Sequence, residues 1–126
     1  MLLVQTYLAP SPIHGTGVFA AEHITKGTIT WQLHPVYDLI IFKENMPLVP
    51  SFVREYLERF AFTDKAGNKV LCGDNDKFMN HSDTPNQHGD LNTMTDTALR
   101  DIEIGEELTV NYFDIDRVCA ETGKAF

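Results

Sequence analysis

The chain has 126 residues, room for one domain with its own core and not for two, and with 43% hydrophobic and 22% charged residues its composition is that of an ordinary globular protein. No apolar run approaches the ~20 residues that cross a bilayer. The opening MLLVQTYLAP has neither a basic stretch nor a small-residue cleavage site, so a cytoplasmic or otherwise intracellular protein with no membrane partner is expected. A net charge of −8, from 10 basic and 18 acidic residues, argues against direct nucleic-acid binding and for attraction to a basic partner. Cys72 and Cys119 are too few for a disulfide scaffold or a four-thiolate zinc site and read as reduced thiols.

In chain order, the turn SPIHGTG at 11–17 comes first, then the turn TKG at 25–27. Thr28 to Leu33 and Val36 to Phe42 have the β-branched and aromatic content of strands. SFVREYLERF at 51–60 has helical spacing: Phe52, Tyr56 and Phe60 recur at i, i+4 and i+8, beside Val53 and Leu57. Ser51 is the expected N-cap, Glu55 and Arg59 are an expected i, i+4 pair, and the aromatic stripe is expected in the core. After the turn DKAGN at 64–68, a strand is predicted over Lys69 to Cys72. After the turn EIGEE at 103–107, another is predicted over Leu108 to Tyr112, with Tyr112 at its end. The sum is a single mainly β domain with a short helical insert at about 43–61.

Three segments carry more than a plain β domain requires. In His14 to Ala20, two glycines flank Thr16, which permits positive φ and close approach of the backbone to a ligand, although the same pattern also serves a simple turn. It is not a dinucleotide fingerprint, because no third glycine and no helix follow. Phe78 to Asn86 is densely polar; if it is buried, Asn80 and His81 need partners, which a polar ligand would supply. His81 with His88 as metal ligands is the weaker reading, and no metal is expected. Gly105 to Tyr112 ends in a tyrosine that serves either chemistry or packing.

Taken together and in this order, HGTGVFA, FMNHSDTPN and RDIEIGEELTVNY resemble the SET-domain family of protein-lysine methyltransferases, in the compact form of its viral and bacterial members. The resemblance implies residues 1–126 as one SET domain of small curved β-sheets, whose C-terminal segment threads under a loop as a pseudoknot. It implies S-adenosylmethionine as cofactor, approached by Gly15, Thr16 and Gly17 through the backbone. Asn80 would bind it with its side chain, His81 largely through its backbone, and Phe113 would pack on the adenine. Tyr112 would be the catalytic residue at the mouth of the channel for the substrate lysine. A free lysine has a pKa of ~10.4, so the site must favour the neutral amine by desolvation and by the nearby sulfonium charge.

The chain departs from the family in several places. Only Cys119 follows Tyr112, so the zinc module that closes many relatives is missing and the tail 113–126, or a partner, would have to close the site. Asn111 stands where Asp is common, Asp83 where Cys is frequent, and Val110 where Phe or Tyr bears on how many methyl groups are added. The expected substrate is a basic protein or peptide carrying a lysine. It would be drawn by Asp101, Glu103, Glu106, Glu107, Asp114 and Asp116, a stretch with no basic residue. A homodimer stays open, as some very small relatives are dimers. So do a non-catalytic SET module, a methyltransferase for small amines, and a cysteine hydrolase using Cys72 with His81 or His88.

Overall fold

The computed structural model describes residues 1–124. In chain order its strands are β1 (Thr6–Pro10), β2 (Thr16–Ala20), β3 (Ile29–Gln32), β4 (Leu39–Ile41), β5 (Phe62–Thr63), β6 (Lys69–Leu71), β7 (Asn80–His81), β8 (Gln87–Asp90), β9 (Thr95–Ala98) and β10 (Thr109–Val110). The helices are α1 (Ser51–Phe60), α2 (Tyr112–Ile115) and α3 (Arg117–Thr122), with short 3-10 turns at Lys43–Leu48 and Asn75–Phe78. Among the described residues the strands form small sheets: the hairpin β1-β2, the antiparallel sheets β3-β9-β8 and β4-β6-β5, and the parallel pair β10-β7. No sheet closes into a barrel, and the mainly β expectation holds.

The parallel pair positions the site. Parallel pairing needs a long connection, and here residues 82–108 supply it, with the β8-β9 hairpin inside. On one side of this C-terminal segment, Leu108 N–H donates to the Val18 carbonyl at 2.8 Å, and the Ala20 N–H donates to the Glu106 carbonyl at 2.9 Å. On the other side Thr109 and Val110 pair with Asn80 and His81. The segment therefore runs between β2 and β7, the threaded arrangement expected. Leu108 and Val110 alternate inward to join Val18, Ala20, Ile24, Met79, Ala98 and Ile102 in one buried cluster. Asn86 fastens the segment: its Nδ2 donates to the Glu107 carbonyl at 2.8 Å and its Oδ1 accepts the Thr109 N–H at 2.9 Å.

Five local expectations are corrected. The strand at 36–42 shrinks to Leu39–Ile41, because His34 Nδ1 accepts the N–H groups of Val36 and Tyr37 and holds them in a turn. The strand at 108–112 stops at Val110: Asn111 Oδ1 accepts the Phe113 N–H at 3.0 Å, so Tyr112 opens a helix instead of ending a strand. Ser51 is the first helical residue of α1; the cap position is Pro50, with no side-chain capping bond. The aromatic stripe of α1 is not core. Only Leu57 of this helix is buried, while Phe52 is 73% and Tyr56 43% exposed. Among the described residues no ion pair joins Glu55 and Arg59; the Arg59 guanidinium lies 5.3 Å from the Phe60 ring centre instead.

The tail folds back as α2 and α3. Buried Asp116 ties it down: one carboxyl oxygen accepts the Thr63 N–H of β5 and the other caps α3 through the Cys119 N–H, both at 2.9 Å. Ala125 and Phe126, the end of the predicted tail, lie outside the described residues.

Candidate active site

The three motif segments meet at the carboxyl group of Glu107. Ser11 Oγ donates to it at 2.7 and 2.9 Å, and Asn80 Nδ2 donates to Oε2 at 2.9 Å. The same Asn80 amide reaches the carbonyls of His14 at 2.9 Å and Thr16 at 3.4 Å. Asn80 thus pins the 14–16 loop against the threaded segment. The two glycines do different work. Gly15 has φ +46, a left-handed turn that glycine adopts without strain. At Gly17 a Cβ would sit 2.4 Å from Glu107 Oε2, so glycine is needed there for approach to a side chain of the protein itself. The part played by Glu107 was missed in the sequence, where GEEL reads as a charged turn.

Beside this junction opens a cavity of about 790 Å³, a size typical of small-molecule sites. Ile13, His14 and Thr16 line it from the β1-β2 loop, and Met79, Asn80 and His81 from the segment entering β7. Tyr112 lines it from α2. Its far wall is α1, through Glu55, Glu58, Arg59 and Phe60. Of the aromatic stripe only Phe60 lines this cavity. Of the residues singled out from sequence, Thr16, Asn80, His81 and Tyr112 come together here. Gly15 and Gly17 lie behind the wall, and Phe113 packs edge-on against the His81 ring at 5.4 Å. Among the described residues of the tail 113–126 none lines this cavity; Tyr112, just before the tail, does.

Tyr112 is held from three sides. Its hydroxyl donates to the Met79 carbonyl, its backbone N–H donates to His81 Nδ1 at 3.0 Å, and its ring lies 5.3 Å from that of His81. Because Nδ1 accepts, the ring proton of neutral His81 sits on Nε2, which meets Asp83 Oδ1 at 2.9 Å. Burial, reinforced by the charge of Asp76, pushes the Tyr112 phenol up to about 12, so it stays neutral at physiological pH. A second, small cavity of about 40 Å³ adjoins the first and shares Arg59, Phe60, Lys77, Met79 and Tyr112 with it. Phe60, Phe62, Val110 and Ile115 supply its apolar wall and Asp76, Asp96 and Asp116 its acids. Ile115 and Asp116 of the tail line this small cavity, and α1 lines both cavities through Arg59 and Phe60. Tyr112 is shared by both.

The cysteines do not build a nucleophilic site. Both are buried. Burial pushes the Cys72 thiol upward, and it donates to Asp76 Oδ2 at 3.3 Å instead of meeting a histidine base.

Solved structures share the architecture. A Plasmodium falciparum protein, provisionally titled a histone methyltransferase, is 25% identical with a TM-score of 0.62 over 88% of this chain and 95% of its own. The Neurospora SET domain protein DIM-5, a histone lysine methyltransferase, is 22% identical with a TM-score of 0.61 over 88% of this chain and 53% of its own. A humanized mutant of the Chaetomium thermophilum Polycomb Repressive Complex 2, bound to the inhibitor GSK126, is 24% identical with a TM-score of 0.64 over 93% of this chain and 16% of its own. The last two likenesses concern the fold alone. No curated protein matches the chain. The SET domain family matches residues 15–113, the stretch that holds the glycine loop, Asn80, His81, Glu107 and Tyr112, and the chain belongs to that family.

Proposed function

We propose that the protein transfers a methyl group from S-adenosylmethionine to the side-chain amine of a protein lysine. One observation carries the reading: a neutral, fixed tyrosine lines both a nucleotide-sized cavity and a narrow one. Two reactants, one in each cavity, would meet beside its ring, and such positioning lowers a bimolecular barrier by several kcal/mol.

The residues of the large cavity fit the cofactor. Phe60 and Phe78, edge-to-face at 5.5 Å, offer flat apolar faces for an adenine. Arg59 and Lys77 suit a carboxylate, and Glu55 and Glu58 suit an ammonium and a sulfonium. The bound cofactor would supply a methyl group on a positively charged sulfur, a donor that needs no metal. The protein's own task is then to hold the acceptor nitrogen in line, keep water out and keep Tyr112 uncharged.

A basic protein substrate fits the net charge of −8. The acidic rim is narrower than the sequence suggests. Asp116 is buried, Glu107 faces Asn80, Glu106 pairs with Arg100 at 2.8 Å, and Glu103 meets His23 at 3.1 Å. Asp101 and Asp114 stay exposed to draw a cation.

S-adenosylhomocysteine, the spent cofactor, should raise the melting temperature. Ligand that binds only the folded state stabilises it by ~2.7 kcal/mol at a hundredfold excess over Kd. A melting curve unmoved by saturating S-adenosylhomocysteine and by S-adenosylmethionine would sink the cofactor reading.

A further inference from the structure

The Tyr112 hydroxyl is aimed by a backbone carbonyl, and that carbonyl is itself held. Met79 stands one residue before β7 and is buried; its carbonyl accepts the Tyr112 hydroxyl. Its N–H donates to the Asp76 carbonyl at 3.0 Å, closing the 3-10 turn Asn75–Phe78. Its sulfur accepts a third bond, from Gln87 Nε2 at 3.2 Å. Gln87, on β8, is 0% exposed. The same Nε2 also donates to the Thr109 carbonyl on β10 at 3.4 Å. Gln87 Oε1 accepts the hydroxyl of Thr30, on β3 and equally buried, at 2.5 Å. Both ends of the amide are therefore engaged.

Packing alone does not call for a carboxamide at this depth. An apolar side chain of the same length would fill the space without giving up the hydration that an amide gives up, and a thioether is a weak acceptor. What a fully satisfied buried amide provides is a fixed geometry. Its two hydrogens reach the two chain segments that converge on Tyr112, at Met79 and at Thr109. These segments are joined directly only by the parallel pair β10-β7, whose register is Thr109 with Asn80 and Val110 with His81. So short a ladder leaves the strand ends free to shift, and the Gln87 amide ties them across it.

We propose that Gln87 is a positioning residue for methyl transfer: its amide holds Met79 and β10 in the arrangement that aims the Tyr112 hydroxyl. The inference rests on the methyl-transfer reading of Tyr112. Gln87 lines neither the large cavity nor the small one. Its effect on the rate must therefore pass through Met79 and Thr109 to Tyr112.

The test is a double-mutant cycle. Gln87→Met keeps the length of the side chain and removes its donors and its acceptor. The probes are S-adenosylmethionine with a labelled methyl group and, as acceptor, a cell lysate stripped of its own cofactor. Gln87→Met should slow single-turnover transfer about 10- to 100-fold, with S-adenosylhomocysteine affinity within about twofold of wild type. In the Tyr112→Phe background the same substitution should change the rate by less than about twofold, because the hydroxyl it aims is already gone. A second readout needs no turnover. With tyrosine labelled with 13C at Cζ, the Tyr112 resonance is identified by its loss in Tyr112→Phe. It should move in Gln87→Met while those of Tyr7, Tyr37 and Tyr56 stay in place. Thr30→Val keeps its shape and removes only the hydroxyl on Oε1; it should move the same resonance, and it carries both measurements if Gln87→Met fails to fold. The proposal is overturned by a rate within about twofold of wild type, by an equal loss in both backgrounds, or by a Tyr112 resonance that neither variant moves. Absence of methyl transfer by wild type would instead defeat the methyl-transfer reading, and the Tyr112 resonance would still decide whether Gln87 holds the hydroxyl.

Discussion

Replacing Tyr112 with Phe should cut single-turnover methyl transfer by roughly 100- to 1,000-fold while leaving S-adenosylhomocysteine binding within about twofold. The ring is anchored by contacts that Phe retains: the N–H bond to His81 Nδ1 and the packing on the His81 ring. What is lost is the hydroxyl, which donates to the Met79 carbonyl and whose oxygen is of a type that can accept from an amine. Since burial keeps the phenol neutral, that oxygen orients the amine without adding charge beside a sulfonium. Removing one preorganised contact of this kind costs ~3–4 kcal/mol of barrier. A fall of less than about tenfold with binding intact would make Tyr112 a packing residue.

Asn80→Ala should be the most damaging of the wall substitutions. One amide group satisfies Glu107 Oε2 and two loop carbonyls, at His14 and Thr16. Alanine takes this donor from the two loop carbonyls and leaves Glu107 Oε2 only the Ser11 hydroxyl, at a part-buried junction, for ~2–4 kcal/mol in all. That is a melting temperature lowered by roughly 10 °C. The cofactor-dependent shift should shrink with it, because His14 and Thr16 form a cavity wall that Asn80, together with Ser11, fastens to Glu107. Asn80→Asp, equal in size, should fare no better, since it sets a second carboxyl against Glu107. A melting temperature within about 2 °C of wild type and an undiminished ligand shift would show that the junction holds without the amide.

The residues of the site were easier to read than their arrangement. Strands β3 and β6 and helix α1 fell where periodicity and turn residues placed them, because those signals are local. The end of β10 did not: a strand-like alternation through Tyr112 lost to the cap that Asn111 provides for α2. The stripe Phe52, Tyr56 and Phe60 has the spacing of a core face, yet Phe52 and Tyr56 are exposed and Phe60 lines a cavity, outcomes that periodicity cannot distinguish from a core. Glu107 was hidden for a different reason. Its partners Ser11 and Asn80 lie 96 and 27 residues away in sequence, and no local pattern announces such bonds. Asp76 and Asp96, likewise, sit in polar surroundings in the sequence; only the fold buries them beside Tyr112.

The central claim is tested most directly by incubating the protein with S-adenosylmethionine carrying a labelled methyl group and a cell lysate stripped of its own cofactor. Labelled peptides are then mapped by mass spectrometry. The account predicts label on lysine side chains of basic proteins, present with wild type and lost with Tyr112→Phe. Label confined to small amines, or equal labelling by both proteins, would contradict it.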